Sequence, residues 1–250
     1  MKQLYLRQFL FCLCLFAGIN IFAYDVYQAC IDGIYYSFSG NNAIVSCQKV
    51  ENGNYRSDYS GVVTIPESVT YNDKTYSVTS IGSHAFEWSS VTSITIPNSL
   101  KNIGSNAFSC CVNLTSINIP NGVTSIKSGT FSNCRSLIYV DIPESVTSIG
   151  NSAFYDCRSL TSIDIPNSVT SIEMNAFMCC SGLTNLTLSN NLKKIEYNCF
   201  LGCSSLTSLI IPNSVETIGD QAFYECSGLN FVSIPNSVTS IGYSAFQGCI

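Results

Sequence analysis

The chain has 250 residues, of which 46% are apolar and 11% charged, and its formal net charge is −5. This composition predicts no basic surface of the kind that attracts nucleic acid or anionic membranes. His84 is the single histidine, so any catalytic arrangement that needs a histidine base has one candidate, and no catalytic motif surrounds it. Phosphate-binding and dinucleotide-binding fingerprints are absent as well. We therefore expect a protein that is not an enzyme and needs no cofactor.

The N-terminal segment differs in composition from the rest of the chain. Lys2 and Arg7 precede an apolar run from Phe9 to Ala23, which is broken only by Gly18 and Asn20. The run is shorter than the span of about 20 residues that a membrane helix needs. It predicts a signal peptide over residues 1–23, and hence a secreted or cell-surface protein with no membrane span after cleavage. An uncleaved anchor is the alternative.

A single fixed period, twenty-three residues long, dominates the remainder of the sequence. Proline recurs at Pro97, Pro120, Pro143, Pro166, Pro212 and Pro235, with Ser189 in the one remaining position. Phenylalanine recurs at Phe108, Phe131, Phe154, Phe177, Phe200, Phe223 and Phe246. Cysteine recurs at Cys111, Cys134, Cys157, Cys180, Cys203, Cys226 and Cys249. Such a period predicts a solenoid, in which each unit buries its apolar face against its neighbours.

The unit at residues 114–134 illustrates the local pattern. Ile117 and Ile119 alternate with polar residues, which is typical of a strand with one face towards a core. The proline that follows ends the strand because it lacks an amide hydrogen. Residues 123–126 form a second short extended piece, and the segment around Phe131 is predicted to be one helical or 3₁₀ turn. Because the same segments recur in phase, the strands should be parallel and in register.

The cysteines are interpreted as core residues. Buried thiols behave as small apolar groups, and seven regularly spaced cysteines cannot all pair with one another. Their spacing lacks the paired motifs of a zinc site, so no metal is expected. Cys30 and Cys47 lie outside the repeats and are the best candidates for a disulfide bond.

The repeated elements IP, SVTSIG, AF, C and LTSI resemble the BspA-like leucine-rich-repeat family. The stretch Ile234–Phe246, with the sequence IPNSVTSIGYSAF, carries the resemblance best, and the match extends over about 65–250. DGIYYSF at 32–38 and the segment 60–82 resemble the family's usual entry into the array. The resemblance implies an α/β leucine-rich-repeat solenoid, strand-rich and horseshoe-like. It would have a parallel sheet on one face, and short strands with helical turns on the other.

This interpretation divides the chain into three parts. Residues 1–23 are the signal peptide, 24–61 an N-terminal β cap over the first open edge, and 62–250 an array of about eight units. The first unit carries an eight-residue insertion, since the interval from Pro66 to Pro97 exceeds the regular proline interval by that amount, and the last unit is incomplete. Asn72 and Asp73 are expected to form a hairpin turn within the insertion.

The resemblance also implies a function. Members of the family are exported proteins that adhere to host extracellular-matrix proteins, such as fibronectin or fibrinogen, or to other cells. We therefore expect a non-catalytic adhesion module whose partners are proteins rather than nucleic acid. The alternative is a structural protein that self-associates through the open C-terminal edge of its array.

Two rows of side chains should face solvent on the predicted sheet. The first column is Ser93, Ser116, Tyr139, Ser162, Asn185, Ser208 and Phe231. The second column is Thr95, Asn118, Asp141, Asp164, Thr187, Ile210 and Ser233. Most of these residues are small and polar, which is consistent with ordinary hydrogen bonding across strands.

The exceptions in these columns are the candidate ligand-binding residues. Tyr139, Ile210 and Phe231 place apolar groups where water is expected, as the anchors of a protein interface do; shielding by adjacent turns is the alternative. Asp141 and Asp164 occupy successive positions and predict an acidic patch, or a cation between two carboxylates about 5 Å apart. Such spacing also suits a glycosidase, but a flat sheet has no walled cleft in which to raise one pKa. The full candidate set is Tyr139, Asp141, Asp164, Asn185, Ile210 and Phe231.

Overall fold

The computed structural model of the protein describes residues 28–49 and 55–249. The signal peptide predicted over residues 1–23 lies outside these ranges. Within them, the backbone forms strands joined by turns. No helix in this part of the chain is long and apolar enough to cross a bilayer.

The described N-terminal region contains eight strands, five of which belong to one sheet that leads into the repeats. Their bounds are β1 Gln28–Ile31, β2 Ile34–Ser39, β3 Asn42–Ser46, β4 Gln48–Lys49, β5 Tyr55–Arg56, β6 Ser60–Thr64, β7 Ser68–Tyr71 and β8 Lys74–Ile81. Strands β1, β2 and β3 pair antiparallel, and β3 then pairs parallel with β8. Strands β7 and β8 form the hairpin predicted at Asn72 and Asp73, whose positive φ angles of 50° and 59° suit a tight hairpin turn.

The repeat units contribute two stacks of parallel strands. The first continues from β6 through β9 Ser90–Thr95, β11 Ser116–Asn118, β13 Tyr139–Asp141, β15 Ser162–Asp164, β17 Asn185–Thr187, β19 Ser208–Ile210 and β21 Phe231–Ser233. The second continues from β8 through β10 Asn102–Ile103, β12 Ser125–Ile126, β14 Ser148–Ile149, β16 Ser171–Ile172, β18 Lys194–Ile195, β20 Thr217–Ile218 and β22 Ser240–Ile241. Ser116 pairs with Tyr139, and Ser148 with Ser171, so the predicted parallel register, offset by one repeat period, is confirmed.

The first stack is not one continuous hydrogen-bonded sheet. Its strands pair in couples, β6 with β9, β11 with β13, β15 with β17, and β19 with β21. Successive couples are joined by isolated backbone bonds, such as that from the Thr161 amide to the Ile138 carbonyl at 3.2 Å. Strands of three residues offer few ladder positions, so a small shift between units is enough to interrupt the pairing.

The prediction of a helical turn in each unit is wrong. In the segment 128–134, alternate amides bond to different units: Phe131 donates to Ala153 of the next unit at 2.8 Å, whereas Cys134 donates to Phe131 of its own unit at 3.1 Å. Gly129 and Asn133 also have positive φ angles of 63° and 59°. A right-handed helix needs consecutive negative φ angles and all of its backbone bonds within its own segment, and neither condition is met. The segment instead ties one unit to the next.

Aromatic rings form the centre of the array. Phe86, Phe108, Phe131, Phe154, Phe177, Phe200 and Phe223 are fully buried, and each ring stacks on the next with centroids 5.1–5.5 Å apart. Phe246 continues the stack at 5.2 Å and is half-buried. The rings lie directly over one another because every unit repeats the same backbone path.

The cysteine column lies beside these rings. The Cys134 thiol donates to the carbonyl of Phe108, in the preceding unit, at 3.1 Å, and Cys157 bonds to Phe131 in the same way. Burial raises the pKa of the Cys157 thiol well above its ordinary value. All twelve described cysteines are free thiols, and these include Cys30 and Cys47, the two candidates for a disulfide bond. Cys30 is exposed on β1, whereas Cys47 is buried.

Candidate functional site

The outer surface of the first stack carries the candidate residues, and we call it the strand face: the outward side chains of β6, β9, β11, β13, β15, β17, β19 and β21. Alternation along each strand positions these side chains. On β13, Tyr139 and Asp141 are exposed while Val140 between them is buried. The same rule applies to β19, where Leu209 is buried.

Three of the six candidates are large apolar side chains that project from the strand face. Tyr139 is 52% exposed, Phe231 is 56% exposed and Ile210 is 71% exposed. The neighbouring turns therefore do not shield them. Each occupies a position that serine, threonine or asparagine fills in most other units. Since small polar residues suffice for the fold at these positions, the apolar groups are not explained by packing.

The structure brings two of the three apolar residues together. Strands β19 and β21 pair so that Phe231 lies opposite Ser208, and Ile210 lies opposite Ser233. Ile210 and Phe231 are therefore diagonal neighbours, about 7–8 Å apart at most between their Cβ atoms. Tyr139 lies in the same column as Phe231 but four units earlier, about 19 Å away at 4.8 Å per strand.

The polar candidates lie between these two points. Asp141 is opposite Asn118 on the β11–β13 couple, and Asp164 is opposite Thr187 on the β15–β17 couple. Their strands are neighbours but belong to different couples, so no backbone ladder joins the two positions. The spacing of about 5 Å between the two carboxylates stays a prediction. Asn185 is exposed on β17, opposite Ser162. In the described ranges no three acidic, histidine or cysteine side chains cluster as they would around a metal ion.

Sequence reasoning missed other exposed apolar groups. Val62 on β6 lies opposite Ser93 and extends the first column of the strand face by one position. Met174, Tyr197 and Tyr243 are exposed in a separate column, three residues before the phenylalanine of each unit. A comparison of the same position in successive units would have found this second column, because Ser105, Ser128 and Asn151 occupy it elsewhere.

An ion-pair cluster links two units away from the strand face. The Asp156 side chain is only 5% exposed, and its carboxylate accepts from Nε of Arg135 at 2.9 Å and of Arg158 at 2.6 Å. This carboxylate raises the pKa of the Arg158 guanidinium. Arg135 belongs to the preceding unit, so the cluster stabilises the stacking of neighbours rather than forming a binding site.

Stacked units of one fixed length, with two in-register parallel strand columns and a buried apolar side, define a leucine-rich-repeat solenoid. A family model described as a BspA type leucine rich repeat region matches the chain in six copies, over residues 63–157 and 130–250. The chain belongs to this family, as its resemblance predicts.

Solved structures agree with this assignment. A leucine-rich-repeat protein from Bacteroides ovatus is 36% identical over 89% of this chain, with a TM-score of 0.82, and the chain spans 57% of that protein. A leucine-rich-repeat protein from T. pallidum is 28% identical over 78% of this chain and 86% of its own, with a TM-score of 0.66. One from Eubacterium ventriosum, 20% identical over 89% of this chain and 94% of its own, shares the fold with a TM-score of 0.50. None of the curated proteins searched matches the chain.

Proposed function

We propose that the protein is a non-catalytic, exported binding module that holds protein partners on its strand face. The observation that carries this proposal is the exposure of Tyr139, Ile210 and Phe231 at positions where the repeat otherwise uses small polar residues. Aromatic and aliphatic groups that are surrounded by small polar residues have the composition of an interface anchor with a polar rim.

The spacing of the anchors favours an extended partner rather than a compact ligand. Ile210 and Phe231 form one apolar contact point, and Tyr139 forms another about 19 Å away at 4.8 Å per strand. Asp141, Asp164 and Asn185 lie along the path between them and supply hydrogen-bond acceptors. A flat surface of this kind gains affinity from several separated contacts, each of them weak on its own.

Family resemblance suggests the class of partner, namely host extracellular-matrix proteins. Fibronectin and fibrinogen are the two proteins with which we would test it first. Export through the predicted signal peptide, followed by secretion or display at the cell surface, forms part of the same proposal, because these partners are extracellular.

Binding of the chain to immobilised fibronectin and fibrinogen, measured by biolayer interferometry, tests the proposal. The informative variant combines Tyr139→Ser, Ile210→Thr and Phe231→Ser, which are the residues that other units use at these positions. We expect the fold to be kept and the dissociation constant to rise at least tenfold, since an anchor residue contributes more than about 1 kcal/mol.

The matched control changes the separate exposed column to the residues of other units, with Met174→Asn, Tyr197→Ser and Tyr243→Ser. This control removes as many large exposed apolar side chains as the strand-face variant does. It should leave the affinity for the matrix proteins within about twofold of that of the unchanged chain. Equal losses in the two triple variants would contradict a role specific to the strand face. Absence of binding to both matrix proteins would contradict the proposed class of partner.

Self-association through the edge of the last described unit is the alternative function, and it stays a prediction. Light scattering separates the two proposals, because a monomer at micromolar concentration contradicts self-association and leaves the adhesion proposal intact.

A further inference from the structure

A second apolar surface lies on the turn segments of the C-terminal units. Its first column is exposed and holds a large apolar residue three positions before the phenylalanine in three units. Its second column lies one position after the phenylalanine and is half-buried. Met174 and Met178 show the relation, because they flank the fully buried Phe177 and both retain contact with solvent. We call this set the turn surface, and its members are Met174, Met178, Tyr197, Leu201, Tyr224 and Tyr243.

The turn surface is continuous along the array and is about as wide as a helix. The Asn175 amide donates to the Tyr197 carbonyl at 3.1 Å, so the first column passes from one unit to the next in register. At the ring spacing of 5.2–5.4 Å, it extends about 16 Å from Met174 to Tyr243. The Met178 amide closes a turn onto the Asn175 carbonyl at 3.1 Å. Such a turn keeps its end Cα atoms within about 7 Å, which places the two columns within about 11 Å of each other.

The fold does not require large apolar groups at these positions. The units of Phe108 and Phe131 fill both columns with serine, namely Ser105 and Ser109 in one unit and Ser128 and Ser132 in the other. The same inter-unit bond forms there, since the Asn106 amide donates to the Ser128 carbonyl at 3.0 Å. The methionine, tyrosine and leucine residues of the later units therefore have a reason other than folding. Adaptable methionines and aromatic rings are typical of surfaces that bind proteins.

The charge around the turn surface is acidic. Glu173 and Glu225 adjoin it in sequence, and Asp220 occupies a position of its first column. All three are exposed, and in the described part of the chain none of them pairs with a lysine or arginine. Both Glu173 and Asp220 accept a backbone amide of a neighbouring unit at 2.8 Å, which fixes their carboxylates at this surface. Two lysines are the only basic residues in the segment 173–248, and both already form ion pairs.

An apolar strip bordered by carboxylates complements a basic amphipathic helix. The helix diameter of about 10–12 Å matches the width of the two columns, and a length of about 16 Å corresponds to about 11 helical residues. The apolar side of such a helix covers the strip, while lysines or arginines at its margin meet the carboxylates. A second copy of the chain fits less well, because its formal net charge is −5 and like charges across an interface oppose association.

We propose that the turn surface binds a basic amphipathic helical segment of a protein. The methionines, tyrosines and leucine contact the apolar side of the segment. Glu173, Asp220 and Glu225 attract the lysines or arginines at its margin. None of the six strand-face candidates belongs to the turn surface, so each surface can be occupied without the other.

Fluorescence anisotropy with labelled peptides tests this binding. The probe is a fluorescein-labelled amphipathic peptide of leucine and lysine, about 14 residues long and thus about 21 Å as a helix. One control peptide has glutamate in place of lysine, and the other is a scrambled sequence of the same composition without an apolar side. We expect saturable binding of the probe, and binding of both controls about tenfold weaker or more. Equal binding of either control peptide, or no saturation by the probe below about 1 mM, would overturn the proposal.

A variant that removes the exposed column tests the apolar contact. Met174→Asn, Tyr197→Ser and Tyr243→Ser together introduce residues that other units use at this position. This change should weaken probe binding about fivefold or more, since it truncates three contact residues. The triple strand-face variant removes as many large apolar side chains and should leave probe binding within about twofold. Equal losses in the two variants would refute the site. Self-association that disappears in the turn-surface variant would make a second copy the occupant and overturn the proposal.

A second variant tests the charges. Glu173→Gln, Asp220→Asn and Glu225→Gln each keep an oxygen acceptor while removing a negative charge. Together they should weaken probe binding about fivefold or more and reduce its dependence on salt. The matched control is Asp141→Asn, Glu144→Gln and Asp164→Asn, which changes the net charge equally but lies outside the turn surface. If this control weakens probe binding as much, the net charge of the chain and not the turn surface attracts the peptide, and the proposal fails.

Discussion

Replacing one buried ring in the middle of the phenylalanine stack should destabilise the array more than replacing the ring at its end. Phe154 is fully buried and lies between Phe131 at 5.3 Å and Phe177 at 5.1 Å. Phe154→Ala removes a core side chain, which costs about 3–5 kcal/mol including the cavity left behind. That loss includes two stacked contacts of about 0.5–1.5 kcal/mol each. Phe246 is half-buried with one described neighbour, Phe223, so Phe246→Ala should cost about half as much.

Equilibrium unfolding in guanidinium chloride, followed by circular dichroism, measures both changes. Because each unit contacts only its neighbours, Phe154→Ala should also separate the transition into two phases, as the two halves of the array lose their coupling. Phe246→Ala should keep a single transition with a lower midpoint. If Phe154→Ala costs less than about 1.5 kcal/mol, or no more than Phe246→Ala, then the stacked rings do not hold the units together.

Two further predictions concern buried polar groups. Burial raises the pKa of the Cys157, Cys180 and Cys199 thiols above their ordinary value of about 9, so the folded state favours the neutral thiols. The free energy of unfolding should therefore fall as the pH rises above about 9, by about 1.4 kcal/mol per pH unit for each thiol and about 4 for the three. Urea unfolding with reductant at pH 8 to 10 measures this slope, and a flat profile would contradict it. Asp156→Asn should lower the unfolding free energy by about 1–2 kcal/mol, because two charge-assisted hydrogen bonds are lost from a buried carboxylate. The same assay should give less than about 0.5 kcal/mol for the exposed Asp164→Asn, and equal losses would argue against the cluster.

The stacking of the array was predictable because it depends on period alone. Equal spacing of proline, phenylalanine and cysteine permits only a parallel register in which like residues lie over like, as Ser148 and Ser171 do. The form of the turn was harder to predict, since an alanine and a phenylalanine are also common in helices. The sequence did hold an indication of the turn, in the asparagine, glycine and serine residues that many units carry two positions before or after the phenylalanine. Gly129 and Asn133 are examples, and residues of these types tolerate positive φ angles.

The candidate site was predictable to the extent that alternation determines which side chains face out. Tyr139 is exposed beside the buried Val140, and Phe231 is exposed beside the partly buried Val232. The period also assigns Ile210 and Phe231 to successive units, and the pairing of β19 with β21 makes them diagonal neighbours. The arrangement of the strands in couples, by contrast, follows from the coordinates and not from the spacing.

Hydroxyl-radical footprinting of the chain with and without saturating fibronectin or fibrinogen tests the central proposal most directly. The method oxidises exposed aromatic, methionine and aliphatic side chains, and mass spectrometry locates the products. We predict that bound partner protects Tyr139, Ile210 and Phe231, whereas Met174 and Tyr243 are oxidised to the same extent as in the free chain. Protection confined to the Met174 and Tyr243 column, with the strand face still oxidised, would contradict the account.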